Sequence, residues 1–390
     1  MAGDASPQDV TAPGTSAIPH VPALDGLRGV AIALVLAIHF GVGAALPQHW
    51  PGVVSVWLER LCYVGWSGVD LFFVLSGFLI TSILLASATA PGYYQRFYSR
   101  RALRIFPLYF VALGLGLIVL PRVLPSQAPA LLGEVLHHQL WLWTYTLNVA
   151  NALGWVVNAG VLGQMWSLAI EEQFYAVWPL VARHLAARRL LLLCGVLAVM
   201  ALALRVAWIR VGDLGAWPGP YRFTLTRVDA LAAGAALAVL RQDPAAWARV
   251  ASWARVGLAV TGGTLVVWFL AVPRFYPDQP GVVTVGHSLL ALAFSCLVVR
   301  ALGEAPPRWM CGRVLTTLGK YSYGIYVWHW PVQFSFVTFG KGQMNPAVFI
   351  GGGLVATCAL ALVSYHLLEA PFLRLKDRVG YGAKRLPVLV

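Results

Sequence analysis

The sequence predicts an all-α integral membrane protein, a bundle of about ten transmembrane helices with both termini in the cytoplasm. Three observations carry that prediction. Of 390 residues, 59% are hydrophobic and only 11% are charged, against about 25% charged in an ordinary soluble domain. The mean hydropathy is +0.72. The apolar residues gather into stretches near the roughly 20 residues that a helix needs to cross a hydrocarbon core about 30 Å thick.

The ten stretches run over 30–47, 66–86, 105–121, 165–182, 189–209, 227–240, 256–272, 284–302, 316–338 and 347–369, the sixth being short. The net charge of +13 would suit nucleic acid only if it formed a stripe, and it sits at the ends of the spans instead. Arg96, Arg100, Arg101 and Arg104, then Arg183, Arg188 and Arg189, then Arg241 to Arg255, Arg300 to Arg313 and Arg374 to Arg385 fall on one set of loops. Arg60, Arg122, Arg210, Arg222, Arg274 and Lys341 are the sparse basic residues of the other set. This is the positive-inside bias; it excludes a nucleic-acid partner and makes the bilayer the surrounding medium.

Residues 1–23 are rich in Pro, Ala, Ser and Thr, lack the flanks of a secretory signal, and read as a disordered cytoplasmic segment. Residues 24–371 form one transmembrane domain, and 372–390 a short basic cytoplasmic tail that leaves no room for a soluble domain. The connection from Pro121 to Gln164 is apolar enough to tempt an eleventh span, but that would reverse the parity of every later basic loop, so it reads as a partly embedded helix and loop on the outer face, with His137 and His138 at the interface. The five cysteines are scattered and form no CxxC pair, which points to neither a disulfide framework nor a metal site.

Ionisable residues inside spans are costly and face a cavity or a partner. In LDGLRGVAIALVLAIHF, Arg28 and His39 are eleven positions apart. At about 100° per residue they share one face, and at about 1.5 Å per residue they are separated by about 16 Å along it. Arg28 either snorkels to the headgroups or lines a route; His39, midway through the bilayer, is a candidate general base. In the second span Asp70 either orients His39, pairs with an arginine or sits at the interface. Arg101 and Arg104 share a helix face among Tyr and Phe side chains in YYQRFYSRRALRIFPLYF, a pattern that serves the positive-inside bias and also suits the phosphates of a nucleotide-bearing ligand such as coenzyme A.

The fourth span carries Glu171 and Glu172 side by side, so at least one points into the bundle, as a functional acid or as the partner of an arginine such as Arg227. Arg227 and Asp229 open the sixth. In GKYSYGIYVWHWPV, Ser322, Tyr326 and His329 fall at i, i+4 and i+7 on one face, which makes His329 a second candidate base, and Pro331 loosens the helix. Glu369 near the end of the last span serves packing or a salt bridge.

The chain resembles acyltransferase family 3, bacterial membrane-bound O-acyltransferases of sugars. The carriers are LDGLRGVAIALVLAIH with its R-x10-H spacing, GVDLFFVLSGFLI, RRALRIFPLY, WSLAIEEQFY, RVDALAAGA and YSYGIYVWHWPV, from Leu24 to about Pro371. LLEAP departs from the Glu-Arg-Pro of many members, since Ala370 removes a charge.

The resemblance implies a multi-pass protein of the bacterial inner membrane. Such a protein moves an acyl group, most often acetyl, from acyl-CoA to a sugar hydroxyl of a cell-surface glycan such as lipopolysaccharide O-antigen or exopolysaccharide. It implies Arg28 and His39 as the essential pair, Arg101 and Arg104 at the donor, and Glu171 and Glu172 as the acidic motif. Read together with the residues, the expected catalytic set is His39, Arg28, Glu171, Glu172, Tyr326 and His329, with Arg101 and Arg104 on the acyl-CoA and Asp70, Arg227 and Ser322 on the substrate. One glutamate is expected to orient His39. Acyl-CoA is a donor substrate, and no tightly bound cofactor or metal is expected. Acylation of a macrolide or other secondary-metabolite sugar uses the same residues, and a proton-coupled transporter is the rival of another class.

Overall fold

The computed structural model describes residues 20–42, 52–211, 219–340 and 344–378, and among these every regular element is helical. Most of the segment expected to be disordered, and the end of the basic tail, lie outside the described residues.

The long helices are α1 (Pro22–Leu36), α2 (Val53–Tyr63), α3 (Gly68–Ala86), α4 (Tyr93–Gly114), α5 (Met165–His184), α6 (Ala187–Val211), α7 (Thr224–Leu240), α8 (Pro244–Ala271), α9 (His287–Ala301), α10 (Arg313–Gly340) and α11 (Pro346–Ser364). Seven continuous helical stretches among the described residues are long and apolar enough to cross a bilayer, which makes this a multi-pass membrane protein. Three of the ten expected spans, α5, α7 and α10, are not among the seven. The reason is physical: α7 has 17 residues, and α5 and α10 carry the glutamates, tyrosines and His329 that lower their hydropathy. Most of α7 is buried, as are Ser167 and Tyr175 of α5 and Ser322, Tyr326 and His329 of α10.

α1 lies at the centre, packed against α10 on one side and α3 on the other; α3 in turn packs on α7, and α7 on α6. Backbones come unusually close at the α3/α7 crossing. A methyl group placed on Gly77 would fall 2.0 Å from the Leu231 carbonyl oxygen, and one on Gly234 would fall 2.0 Å from that of Val74. Each helix therefore uses a glycine to seat the other, the small-residue packing that substitutes for a hydrophobic driving force in lipid. By contrast α8 buries only Ala254 and is peripheral, packing on α9.

Two local features place functional side chains. α1 passes at Ala37 into a π-helical turn, Ala37–Val42, and His39 sits on it; such turns re-aim side chains and recur at functional sites. In α10, Pro331 has no N–H for the carbonyl one turn back. That carbonyl, of Val327, instead accepts a hydrogen bond from Nε2 of Gln164 at 2.9 Å, which ties the start of α5 to the middle of α10.

The connection between α4 and α5 is not an eleventh span. It folds into short helical turns such as Ala128–Leu132, Leu140–Trp143 and Leu147–Ala152. The Tyr109 hydroxyl donates to the Leu142 carbonyl at 2.7 Å and its ring stacks on Tyr145 at 4.0 Å, while Trp330 of α10 donates to the Gly160 carbonyl at 2.7 Å. The connection is thereby folded back onto the bundle.

Candidate active site

Two chambers lie along the central helices. The first, about 100 Å³, is lined from α1 by Arg28, from α4 by Arg101 and Arg104, from α5 by Ser167, Glu171, Glu172 and Tyr175, and from α10 by Ser322, Tyr323 and Tyr326. The second, about 390 Å³, is lined by His39, by Trp66, Trp166, Tyr221, Arg222, Tyr276, Tyr326 and Trp330, and by residues 157–160, 163 and 164 of the long connection. Val69 and Tyr326 line both, so these two side chains form the partition between them.

Arg28 lines the first chamber and His39 the second. Arg28 is held by Asp25, one turn earlier, at 3.3 Å. Within the first chamber, Glu171 accepts from the Ser76 hydroxyl at 2.9 Å and from the Tyr175 hydroxyl at 3.0 Å. Glu172, its neighbour, also lines this chamber, and its buried Oε1 has no hydrogen-bond partner among the described residues. The Arg101 guanidinium lies over the rings of Phe97 and Tyr175 at 5.8 and 5.6 Å, which fixes its plane and direction. Three arginines and two glutamates thus share a narrow interior, with one more cationic side chain than acidic ones.

At the partition, the Tyr326 hydroxyl bonds the Ser167 hydroxyl and donates to the Gln164 carbonyl at 3.2 Å. One turn on, His329 is fully buried, and its Nδ1 donates to the Tyr326 carbonyl at 2.6 Å. A carbonyl only accepts, so Nδ1 carries a proton, and in the neutral imidazole Nε2 is an acceptor; it has no hydrogen-bond partner among the described residues. The His39 ring lies 4.9 Å from that of His329 and edge-to-face on Trp330 at 4.6 Å. His39 is open to the second chamber, whereas His329 lines neither chamber. Of the two histidines, His39 is the one that lines a chamber, and His329 lies behind it against its ring.

Three expectations are corrected. Neither glutamate orients His39; both line the other chamber, and the imidazole is positioned by His329 and Trp330. Nor does a glutamate pair with Arg227. Asp70 and Arg227, expected on the substrate, bond each other at 2.8 Å with side chains 1% and 0% exposed, and they line neither chamber. The ion pair belongs to a buried network in which Asp70 also meets His287 at 3.2 Å and Arg205 pairs with Asp229 at 2.7 Å. A carboxylate and a guanidinium on adjoining inner helices neutralise each other because neither can reach water. His287, Trp330 and Tyr323 were not among the residues singled out in the sequence. His287 sits in an apolar run without a polar neighbour pattern, whereas Trp330 directly follows His329 and could have been read with it.

A bundle whose interior holds an arginine-rich chamber and a histidine-bearing chamber, divided by one tyrosine and one valine, defines a membrane protein built for polar chemistry within the bilayer. The chain belongs to acyltransferase family 3: the family model, described as an acyltransferase domain, matches residues 21–366. It is 27% identical over 373 residues to the O-acetyltransferase OatA of Staphylococcus aureus, an alignment covering 90% of this chain and 57% of that protein. It is 29% identical to the putative peptidoglycan O-acetyltransferase YrhL of Bacillus subtilis, with 90% and 55% covered. It is also 29% identical to the peptidoglycan O-acetyltransferase OatA of Listeria monocytogenes, with 90% and 56% covered. The chain thus spans little more than half the length of these relatives. No solved structure matches it.

Proposed function

We propose that the protein is a bacterial inner-membrane O-acetyltransferase that takes acetyl from acetyl-CoA on the cytoplasmic side and delivers it to a sugar hydroxyl of a cell-envelope glycan on the other. The observation that carries this reading is the pair of chambers sharing Val69 and Tyr326. The basic loops that border the first chamber support a cytoplasmic orientation for it, with ten spans and both termini inside. The relatives' names, which specify O-acetylation and in two cases peptidoglycan, support acetyl as the group and a glycan as the acceptor.

In this mechanism Arg101 and Arg104 hold the phosphates of the donor, and the pantetheine arm runs along the narrow first chamber past Arg28 toward the partition. The thioester carbonyl meets hydrogen-bond donors at Tyr326 and Ser322, which stabilise the negative charge that develops on its oxygen. The acceptor enters the second chamber, where His39 removes the proton of its hydroxyl. The oxygen attacks the thioester carbon, a C–O ester bond forms, the C–S bond breaks, and coenzyme A leaves as its thiol after taking up a proton. His329 holds the His39 ring through the attack.

The test uses purified full-length protein in proteoliposomes supplied with acetyl-CoA, following thiol release, together with mass spectrometry of envelope glycans from cells with and without the gene. The expected result is a glycan heavier by acetyl groups only when the gene is present. His39→Ala is expected to lose thiol release and acetylation while eluting as a folded protein. A folded, fully active His39→Ala protein would overturn the assignment and move the base to His329. Acetyl appearing on a soluble metabolite rather than a glycan would place the acceptor in the cytoplasm.

A further inference from the structure

Two rings in the wall of the second chamber stand on elements too short to fix them. Trp66 belongs to the four-residue turn Val64–Ser67, and Tyr221 to the four-residue helix Gly219–Arg222; both line the chamber that His39 lines. So short a helical piece owes its stability to packing rather than to its own hydrogen bonds. The direction of each ring is therefore set by its neighbours. Trp66 has one hydrogen bond to help it, from Nε1 to the Phe275 carbonyl at 3.1 Å.

The neighbour the two rings share is His287. Trp66 meets its imidazole nearly at right angles with ring centres 5.0 Å apart, and Tyr221 stacks on it at 5.7 Å with 26° between the planes. Trp166, a third wall residue, meets Tyr221 in turn at 4.9 Å. His287 is fully buried and is not one of the residues lining either chamber. It opens α9 directly after a second π-helical turn, Val282–Gly286, much as His39 sits on the first. Its Nδ1 bonds the Arg227 guanidinium and lies 3.2 Å from the Asp70 carboxylate. An imidazole has polar atoms on its edge and a flat face beside them. Here the edge is anchored to the buried ion pair while the ring supports the aromatic wall. Asparagine would supply that anchor without the ring, and phenylalanine the ring without the anchor.

We infer that His287 is a positioning residue: it links the buried Asp70–Arg227 pair to the wall of the second chamber and holds Trp66 and Tyr221 in the arrangement that sets an acceptor sugar before His39. The inference rests on the reading of the second chamber as the acceptor side, and it deepens that reading by tying acceptor placement to a network that lies outside the chamber. Arg227 takes part directly, since its guanidinium lies over the Tyr221 ring at 5.0 Å. A reacting group misplaced by about 1 Å costs about 100-fold in rate, so the order of this wall should be felt at the transfer step and not at the donor.

The experiment reads the wall directly, by fluorine NMR of the full chain in nanodiscs labelled with fluorotryptophan. The lines of Trp66, Trp166 and Trp253 are assigned by single Trp→Phe replacements, and Trp253, exposed on α8, is the control. Wild-type protein is expected to give one narrow line for Trp66. His287→Asn is expected to broaden or split the Trp66 and Trp166 lines and to leave Trp253 unchanged. In the same variant, acetylation of envelope glycan by cells should fall about 10- to 100-fold, while KM for acetyl-CoA in thiol release stays within about twofold of wild type. His287→Phe, which keeps the ring, is expected to restore the single Trp66 line. Several Trp66 lines in wild-type protein overturn the inference, and that outcome needs no variant. An unchanged Trp66 line in His287→Asn overturns it too, as does loss of all three tryptophan lines together, which marks a purely structural role. Absence of thiol release and glycan acetylation in wild type would defeat the transferase reading, while the NMR lines still decide whether His287 orders the wall.

Discussion

Removing the charge of Asp70 tests whether the Asp70–Arg227 pair holds the bundle together or serves a ligand. Asp70 Oδ1 accepts from Arg227 at 2.8 Å and meets His287 Nδ1 at 3.2 Å, in a site 1% exposed on the acid and 0% on the base. The Arg227 guanidinium is also fixed over Phe73 and Tyr221, at 5.7 and 5.0 Å, so it cannot swing out to lipid headgroups. Asp70→Asn keeps the shape and removes the charge, leaving two arginines of the network facing Asp229 alone. Breaking a buried pair in this way costs about 3–5 kcal/mol. At about 2 °C per kcal/mol for a chain of this size, the midpoint of thermal unfolding should fall by about 6–10 °C. The double variant Asp70→Leu/Arg227→Met removes both charges and should recover most of that loss. The assay is thermal unfolding of detergent-solubilised protein followed by tryptophan fluorescence, with Trp66 a local reporter 5.0 Å from His287. Asp70→Asn melting within about 2 °C of wild type, or a double variant as unstable as the single, would refute the reasoning. A stable Asp70→Asn protein that loses acetyl transfer would restore Asp70 to the ligand.

Two further outcomes follow from the same geometry. Under the proposed reading, Arg104→Ala, which removes a first-chamber cation, should raise KM for acetyl-CoA about 10- to 100-fold, the value of a charge-assisted phosphate contact; an unchanged KM in steady-state thiol release would remove Arg104 from the proposed donor site. Gly77→Ala places a methyl group 2.0 Å from the Leu231 carbonyl oxygen and should destabilise by about 1–3 kcal/mol as α3 and α7 separate. Gly195→Ala meets nothing within 4 Å and should be neutral or stabilising by up to about 1 kcal/mol. Equal melting of the two glycine variants would contradict the close crossing.

Much of the site was legible because it lies on single helices. The common face of Arg28 and His39, of Arg101 and Arg104, and of Ser322 and Tyr326 needs only the helical period, and all of these except His39 line the first chamber. What depends on which helices adjoin was not legible. Asp70, on α3, finds Arg227 on α7 rather than His39 on α1 because α3 and α7 cross backbone to backbone at Gly77 and Gly234, and no period within either helix encodes that crossing. The long connection before α5 read as an interfacial segment, yet its residues 157–160 wall the second chamber. The π turn at Ala37–Val42 was likewise hidden, since a single widened turn leaves the apolar pattern of α1 intact. Hydropathy, in turn, undervalues α5, α7 and α10, because α5 and α10 carry polar residues that line the chambers and α7 is only 17 residues long.

The partition of Val69 and Tyr326 has a consequence for the cell as a whole. A water-filled passage joining the two chambers would short-circuit the ion gradients of the membrane that holds the protein. Val69 and the hydrogen-bonded Tyr326 line both chambers, so a passage between them runs past these two side chains, which would have to let the reacting atoms meet while keeping ions apart. Under the proposed reading only a small group that breaks one bond and makes another passes them. Insulation and transfer are then the same property of the same two side chains, and enlarging the gap would be felt first as leakage of protons.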